Sequence, residues 1–516
     1  MAHALLAVVV CALGLFVALT VYHFTEVSAI HKICGAPSSA SAFAHGTSDT
    51  DDELTRVVLR GNAFAIDTAG LDHTPVDADE NAADRMFPGR VFGHQLGPCR
   101  SARALAIVHL AAAEAYAAAV HAAPVYLPAH TFAVAGGGGG GHAPSAVVEA
   151  VRVALSALYP SHAHRIAAQL AEPRAPAAAR GRATGRAAAL AVLANRSNDG
   201  AEQHAEIEYG SAEYHAAFPR AASPHDWTPD PTDTNALALG ARWAARVRPF
   251  VLRSAAQFRP QPPPATASRA YAMAYDEAVA LGGANVTVRD AERERVGVFW
   301  AYDGTPSLCA PPRLYNQLAQ RLVHDAWYVR GAAYLRVLAA LNVVLADAAL
   351  AAWEAKYHYR VWRPVVGIRR GDEDDNAATV GDAYFVPLGA PKSNTRVRRG
   401  ERLGFTPPFP AYPSGHAVFG AAAAQLLRHV HGGGADADTL PGGFAFVSDE
   451  FNGVTRDASG AVRPLAPRYY ATLSQLEEEN AQSRMYLGIH WCHDKTSGVR
   501  QGHQVADYVL THWHVL

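Results

Sequence analysis

The sequence predicts an all-α protein of two helical bundles, and three observations carry that reading. Long stretches of strong helix formers, of which 326–354 is the clearest, run without the alternation of a half-buried strand. Half of the chain is hydrophobic, Ala-rich and poor in β-branched runs, and no strand pattern emerges. The Pro-rich segment 259–264 then separates an earlier group of helical stretches from a later one. At 516 residues the chain can fill one large core or two ordinary ones, because single cores stop growing at about 250 to 300 residues.

The elements follow in order. Residues 4–22 are an unbroken apolar or small-residue run, and Val27-Ser28-Ala29 after it suits a signal peptidase. The run is also long enough to span a bilayer and no Lys or Arg precedes it, so residues 1–29 are read as a signal peptide or a membrane anchor. The expected location is therefore secreted or extracellular, or membrane-anchored by that segment alone. From there to about Gly97 the chain is polar and turn-rich and reads as an irregular arm. Ser101 is placed to cap a helix over 102–121, with Leu105, Val108 and Leu110 on its apolar face. The glycine run 136–141 reads as a surface loop and not as a phosphate cradle, since no Lys-Ser/Thr follows it. A second helical region covers 146–193. The arm and first bundle thus take residues 30–300, and a second bundle takes 301–516. No apolar run after residue 30 approaches the roughly 20 residues of a membrane span.

Charge and cysteine content narrow the function classes. A net charge of -2 provides no global field to attract nucleic acid or an anionic membrane, so anion chemistry has to come from local clusters of cations. Five cysteines without a C-x-x-C pair make neither a disulfide scaffold nor a thiolate zinc site. Removal of a leader takes Cys11 with it and leaves Cys34, Cys99, Cys309 and Cys492, an even number compatible with an oxidising compartment.

Three motifs after Val298 carry chemistry. In the first, Lys356 and Arg363 are seven apart, a separation that returns to one helix face, so both cations can converge on one anion before Pro364. Alone, this also describes a basic helix end favoured by the macrodipole. In the second, a Pro-rich chain leads into Pro413-Ser414-Gly415-His416 and an Ala-rich helical run. That places Ser414 and Gly415 at a helix N-terminus, where unpaired N–H groups accept an oxyanion, and it sets His416 beside them to move protons. Alone, this is more simply a serine cap followed by a stray histidine. In the third, Arg484 precedes His490, and Asp494 lies four residues further on, where on a helix it would fix one imidazole nitrogen and leave the other free for a metal or phosphorus centre. Alone, such a pair is commonly a satisfied core histidine.

Taken in order, Lys-x6-Arg-Pro, Pro-Ser-Gly-His and Ser-Arg-x3-Gly-x-His-x3-Asp form a compound match. The chain resembles the superfamily of vanadium haloperoxidases and type 2 phosphatidic-acid or acid phosphatases. Segments 101–116, 299–304 (FWAYDG), 311–317 (PPRLYNQ) and 451–457 (FNGVTRD) resemble its chloroperoxidase branch, so the likeness runs from about residue 97 to 494. The resemblance implies a vanadate cofactor with its oxygens held by Lys356, Arg363, Ser414, Gly415 and Arg484, and with vanadium bound by His490. It implies catalytic roles for His416 as acid and base, for Lys356, and for Asp303 as the partner of Arg484. Asp494 supports His490 from behind. Trp353 and Phe409 match two aromatic residues of a halide pocket; brominating relatives often carry His at the latter position, so Phe409 leans toward chloride.

The expected reaction is oxidation of chloride or bromide by hydrogen peroxide to hypohalous acid, which then meets small organic acceptors. A soluble acid phosphatase with His490 as nucleophile and His416 as proton donor stays open beside it, because phosphate and vanadate share shape and charge.

Overall fold

The computed structural model describes residues 49–76, 89–128, 141–170, 176–201, 206–219, 225–233, 237–397, 399–432 and 436–513. The leader or anchor at 1–29, Cys11, Cys34 and residues 136–140 of the glycine run lie outside them. All described residues belong to one compact unit, 47–516.

Helix α1, Asp49–Asp72, occupies part of the stretch read as an irregular arm. Its buried residues Leu54, Val58, Ala65 and Ala69 recur at helical spacing, and the acidic Asp51, Asp52 and Glu53 suit the positive end of the dipole. Helix α2, Gly97–Ala119, begins four residues before Ser101, with Pro98 in its first turn. Ser101 is not a cap: it is wholly buried inside the helix and its hydroxyl donates back to the Gly97 carbonyl at 2.5 Å. Helices α3 (Ala143–Leu158), α4 (Ala163–Gln169) and α5 (Pro176–Asn195) follow, and α2, α3 and α5 pack against one another.

After short α6 (Ala212–Ala217) and α7 (Trp243–Arg246), the later helices are α8 (Arg269–Gly282), α9 (Ala291–Phe299), α10 (Pro311–Ala319), α11 (Gly331–Tyr359), α12 (Pro364–Arg369), α13 (Gly415–Val430), α14 (Leu473–Tyr486) and α15 (Cys492–His512). At 29 residues, α11 is the axle of the molecule: it packs against α1 and α2 on one side and α13 and α15 on the other. It is apolar all round because it is covered all round.

That composition corrects one expectation. Both α2 and α11 are long and apolar enough to cross a membrane by length and composition, yet their most apolar windows are 83 % and 94 % buried inside the protein. A helix enclosed by other helices acquires the same all-round hydrophobicity as one enclosed by lipid.

Among the described residues, six short strands pair antiparallel in twos: β1 (Ile207–Glu208) with β2 (Leu237–Ala238), β3 (Ala390–Pro391) with β4 (Gly404–Phe405), and β5 (Thr439–Phe446) with β6 (Arg468–Thr472). They tie down connections and leave the all-α architecture intact. The α13–α15 contact is built on glycine. A Cβ on Gly502 would lie 2.3 Å from the Val418 carbonyl oxygen, and one on Gly498 would lie 2.8 Å from that of Ser414. The N-terminus of α13 is therefore located by close backbone contact with α15.

Candidate active site

Lys356 and Arg363 meet at the site by a break in the helix, not by sharing a face. Helix α11 stops at Tyr359, and Arg360 takes a left-handed φ of 49°. Its side chain turns away to pair with Asp226 at 2.9 Å. Arg363 is the N-cap of α12, and Pro364 starts that helix where the sequence reading had it only end one. Burial does the rest, since both cations are almost fully excluded from water.

The Lys356 ammonium donates to the carbonyls of Pro410, Ala411 and Pro413 at 2.9, 2.9 and 2.6 Å. All three of its protons are thereby used, and the extended chain that delivers Ser414 is strapped to the end of α11. Burial foremost, and then Arg363, pushes the Lys356 pKa well down. Arg363 donates through Nε to the Phe409 carbonyl at 2.9 Å, and through Nη1 to the Ile489 carbonyl at 2.7 Å and to His490 Nε2 at 2.9 Å. Its Nη2 has no partner. Burial, with Arg484 adding to it, holds this guanidinium below its usual range.

Arg484 comes from the last turn of α14 and donates through Nη2 to both carboxylate oxygens of Asp303, at 2.8 and 2.7 Å. Its Nε and Nη1 are buried and unpartnered. Buried donors are nearly always satisfied, so the empty N–H groups of Arg363 and Arg484 call for an acceptor. Ser414 caps α13 and Gly415 opens it, as expected from sequence; the Ser414 hydroxyl accepts weakly from Ala417 N–H at 3.5 Å, and Ser414 N–H donates to the Asp494 carbonyl at 3.0 Å. A Cβ on Gly415 would lie 3.3 Å from two Trp353 ring carbons, so only glycine seats the indole here without displacement.

The two histidines present opposite nitrogens. His490 sits before α15 and not within it, since Trp491 is the N-cap and Asp494 is the third residue of the helix. The predicted pair forms nonetheless: Asp494 Oδ2 accepts from His490 Nδ1 at 2.8 Å and from Trp491 N–H at 2.9 Å. With the proton assigned to Nδ1, Nε2 offers a lone pair, which Arg363 holds. Burial, followed by Arg363, drives the His490 pKa well down, and burial pushes Asp494 up to about 7.

His416 donates through Nε2 to the Ala301 carbonyl at 2.5 Å, which leaves Nδ1 unprotonated, 4.0 Å from Asp303 Oδ1. Burial, and then Arg484, lowers its pKa to about 3, so the ring is neutral near pH 7. Its backbone carbonyl is held by Tyr315 hydroxyl at 3.2 Å and by Asn480 Nδ2 at 2.9 Å. Sequence reasoning missed both of these supports. Tyr315 lies in a segment singled out for its resemblance, whereas nothing in the residue pattern marks Asn480.

Trp353 and Phe409 stand together as expected, ring centroids 4.9 Å apart, and Lys356 Nζ lies 5.1 Å from the Phe409 centroid. Beside them opens a cavity of about 300 Å³ whose polar end includes Asp303, His416, Arg484 and His490. Three cations face two carboxylates across the site, so an anion is favoured there. Every predicted site residue is thus brought together, with the Lys356 ammonium committed to main-chain carbonyls. Cys492 stands half-buried at the start of α15, and burial, aided by Glu277, lifts its thiol to about 11, which makes it a poor nucleophile. Cys99 and Cys309 are likewise free thiols, so no disulfide forms among the described residues.

Comparison with known proteins places this geometry. Residues 336–516 match the family described as the VCPO second helical-bundle domain. Over 253 residues the chain is 37 % identical to the vanadium chloroperoxidase of Curvularia inaequalis, a match that takes in 43 % of this chain and 40 % of that protein. The chain therefore matches less than half the length of that relative. Among solved structures, the first bacterial vanadium-dependent iodoperoxidase is similar at a TM-score of 0.62 and 22 % identity, over 91 % of this chain and 98 % of the other. An apo-type bacterial vanadium-dependent chloroperoxidase is similar at 0.57 and 17 % identity, over 81 % and 95 %. The fold is that of these helical proteins.

Proposed function

We propose that this chain is a vanadate-dependent haloperoxidase, which oxidises chloride or bromide with hydrogen peroxide to hypohalous acid. The observation that carries the reading is the set of buried, unpartnered N–H groups on Arg363 and Arg484, set beside an imidazole whose Nδ1 is fixed by Asp494 so that its unprotonated Nε2 faces Arg363. Vanadate fits this donor set. Its oxygens would be held by Arg363, Ser414, Gly415 and Arg484, with Lys356 standing behind them in its carbonyl cage, and its metal by His490 Nε2. When bound, it supplies a Lewis acid that activates peroxide toward halide without changing its own oxidation state.

The protein's part is positional and protonic. His416 Nδ1 would accept and hold a proton from entering hydrogen peroxide, while the Ala301 carbonyl keeps Nε2 protonated. Asp303 fixes the Arg484 fork and faces His416. Lys356 fixes the chain before Ser414 and contributes charge. Trp353 and Phe409 exclude water from the halide side and so strengthen every charge in the pocket. That aromatic wall favours halide chemistry over a phosphatase in which His490 attacks phosphorus. Export or anchoring through residues 1–29 belongs to this proposal and rests on the 4–22 run and the Val27-Ser28-Ala29 that follows it.

The test is incubation of the purified protein with vanadate, followed by elemental analysis. About one vanadium per chain, displaced by excess phosphate, is expected for a single shared oxyanion pocket. Retention of no vanadium would remove the proposal.

A further inference from the structure

We infer that the cavity beyond the oxyanion pocket binds a neutral, electron-rich aromatic acceptor, so that halogen is transferred inside the protein. This rests on the haloperoxidase reading. A cavity of about 300 Å³ falls within the range of sites for small organic molecules, whereas a halide ion and a peroxide molecule fill only its polar end.

Its other walls are apolar and come from three separate segments. Phe92 and Leu96 stand in the turn before α2, Leu237 and Leu239 lie on and just after β2, and Phe405 and Pro408 lie in the chain that leads to Ser414. Phe92 is 42 % and Leu237 37 % exposed, so large apolar side chains are left in water at the rim. Hydrated ions need no such rim, whereas an aromatic ring gains by covering it.

The wall is fixed to the site. Leu239 N–H donates to the Pro408 carbonyl at 3.0 Å, and the Leu239 carbonyl accepts from Trp353 Nε1 at 3.1 Å and from the Tyr357 hydroxyl at 2.9 Å. Once the open N–H groups of Arg484 are taken up by the oxyanion, the charge left along the walls defines the ligand further. Among the described lining residues the only Asp, Glu, Lys or Arg side chains are Asp303 and Arg484, which pair with each other. His73 is satisfied on both nitrogens, by the Ala69 carbonyl and the Gly97 N–H. A charged acceptor would be desolvated without a partner, so a neutral one is selected.

The transfer balances. The aromatic carbon forms a bond to halogen, the halogen–oxygen bond of hypohalous acid breaks, and the hydroxide released leaves with the ring proton as water. The oxidising equivalents come from the peroxide consumed in the proposed reaction.

The probe is 2-naphthol, with taurine as a hydrophilic competitor for oxidised bromine. Vanadate-loaded wild type and the rim variant Leu237→Asp/Phe92→Ser are compared for 2-naphthol binding by calorimetry and for the ratio of brominated naphthol to bromotaurine. Reagent hypobromite sets the ratio for free oxidant. The inference expects 2-naphthol binding, a wild-type ratio about fivefold or more above the reagent value, and loss of both in the rim variant at unchanged vanadium content. The milder Leu237→Ala should fall between them. A wild-type ratio equal to that of reagent hypobromite, or equal naphthol binding in wild type and rim variant, overturns the inference and leaves the haloperoxidase reading standing. Naphthol binding by a protein that takes up no vanadium overturns both halogen transfer and the haloperoxidase reading.

Discussion

His490 and His416 are both buried neutral imidazoles, and what separates them is which nitrogen is already committed: Nδ1 to Asp494 in one, Nε2 to Ala301 in the other. His490→Ala should therefore weaken vanadate binding by about 10- to 100-fold or more, the scale of losses around a metal site. His416→Ala should keep vanadate and lose most halogenation, by about 100-fold or more. Vanadate titration of each variant, paired with its turnover at measured vanadium content, checks the division; equal loss of binding in both would show that it is misdrawn. Phe409 carries a second residue-scale expectation. Chloride is harder to oxidise than bromide and gains more from a dry, strongly polarised pocket, so Phe409→His should lower chloride turnover more than bromide turnover. Steady-state rates for both halides over one pH range decide it, and an unchanged chloride-to-bromide ratio would count against the role given to Phe409. The identities of these residues were legible in the sequence because anion chemistry demands particular side chains in a particular order. The carbonyl cage around Lys356 and the supports from Ala301 and Asn480 were not, because main-chain acceptors and long-range contacts leave no residue-type signature.

At the scale of elements, the sequence revealed which helices exist better than where they end. Spacing put Lys356 and Arg363 on one helix face, and the structure instead breaks the helix at Arg360 and uses Arg363 as a cap, so that two helix ends converge where one continuous face was expected. Likewise His490 and Asp494 pair across a capping turn, since the residue before the N-cap and the third helical residue can meet as readily as two residues a turn apart. The start of α2 was misplaced because Ser101 is an attractive cap by composition, whereas Pro98 already fits a first turn. Nothing in residue pattern revealed that α13 is set by backbone contact with α15. Gly498→Val should push on the Ser414 carbonyl and the Ala417 methyl, both under 3 Å from the new Cβ, at a cost of about 1–3 kcal/mol for overpacking. Urea unfolding measures that loss, and vanadate titration should show weaker binding as Ser414 and Gly415 shift. Full stability and full affinity in this variant would mean that the α13–α15 contact does not position the anion site.

Across the whole molecule, α11 joins the early helices to the late ones and ends at the pocket, so the cost of burying Lys356, Arg363 and Arg484 together falls on the entire fold. An anion that binds only the folded state should offset that cost. At 100 times its dissociation constant, vanadate should add about 2.7 kcal/mol to stability, visible as a rise of a few degrees in Tm, and phosphate at the same saturation should do the same. A scanning thermal melt with each anion checks this, and chloride at equal ionic strength serves as the control for general salt effects. The central claim is that the pocket turns this anion chemistry toward peroxide and halide. The most direct measurement is turnover by one preparation assayed twice: vanadate-loaded with peroxide, bromide and a phenolic dye, and vanadate-free with a phosphomonoester. Dye bromination that requires vanadate, peroxide and bromide together is the predicted result, while efficient phosphate release with no bromination in the vanadate-loaded form would contradict it.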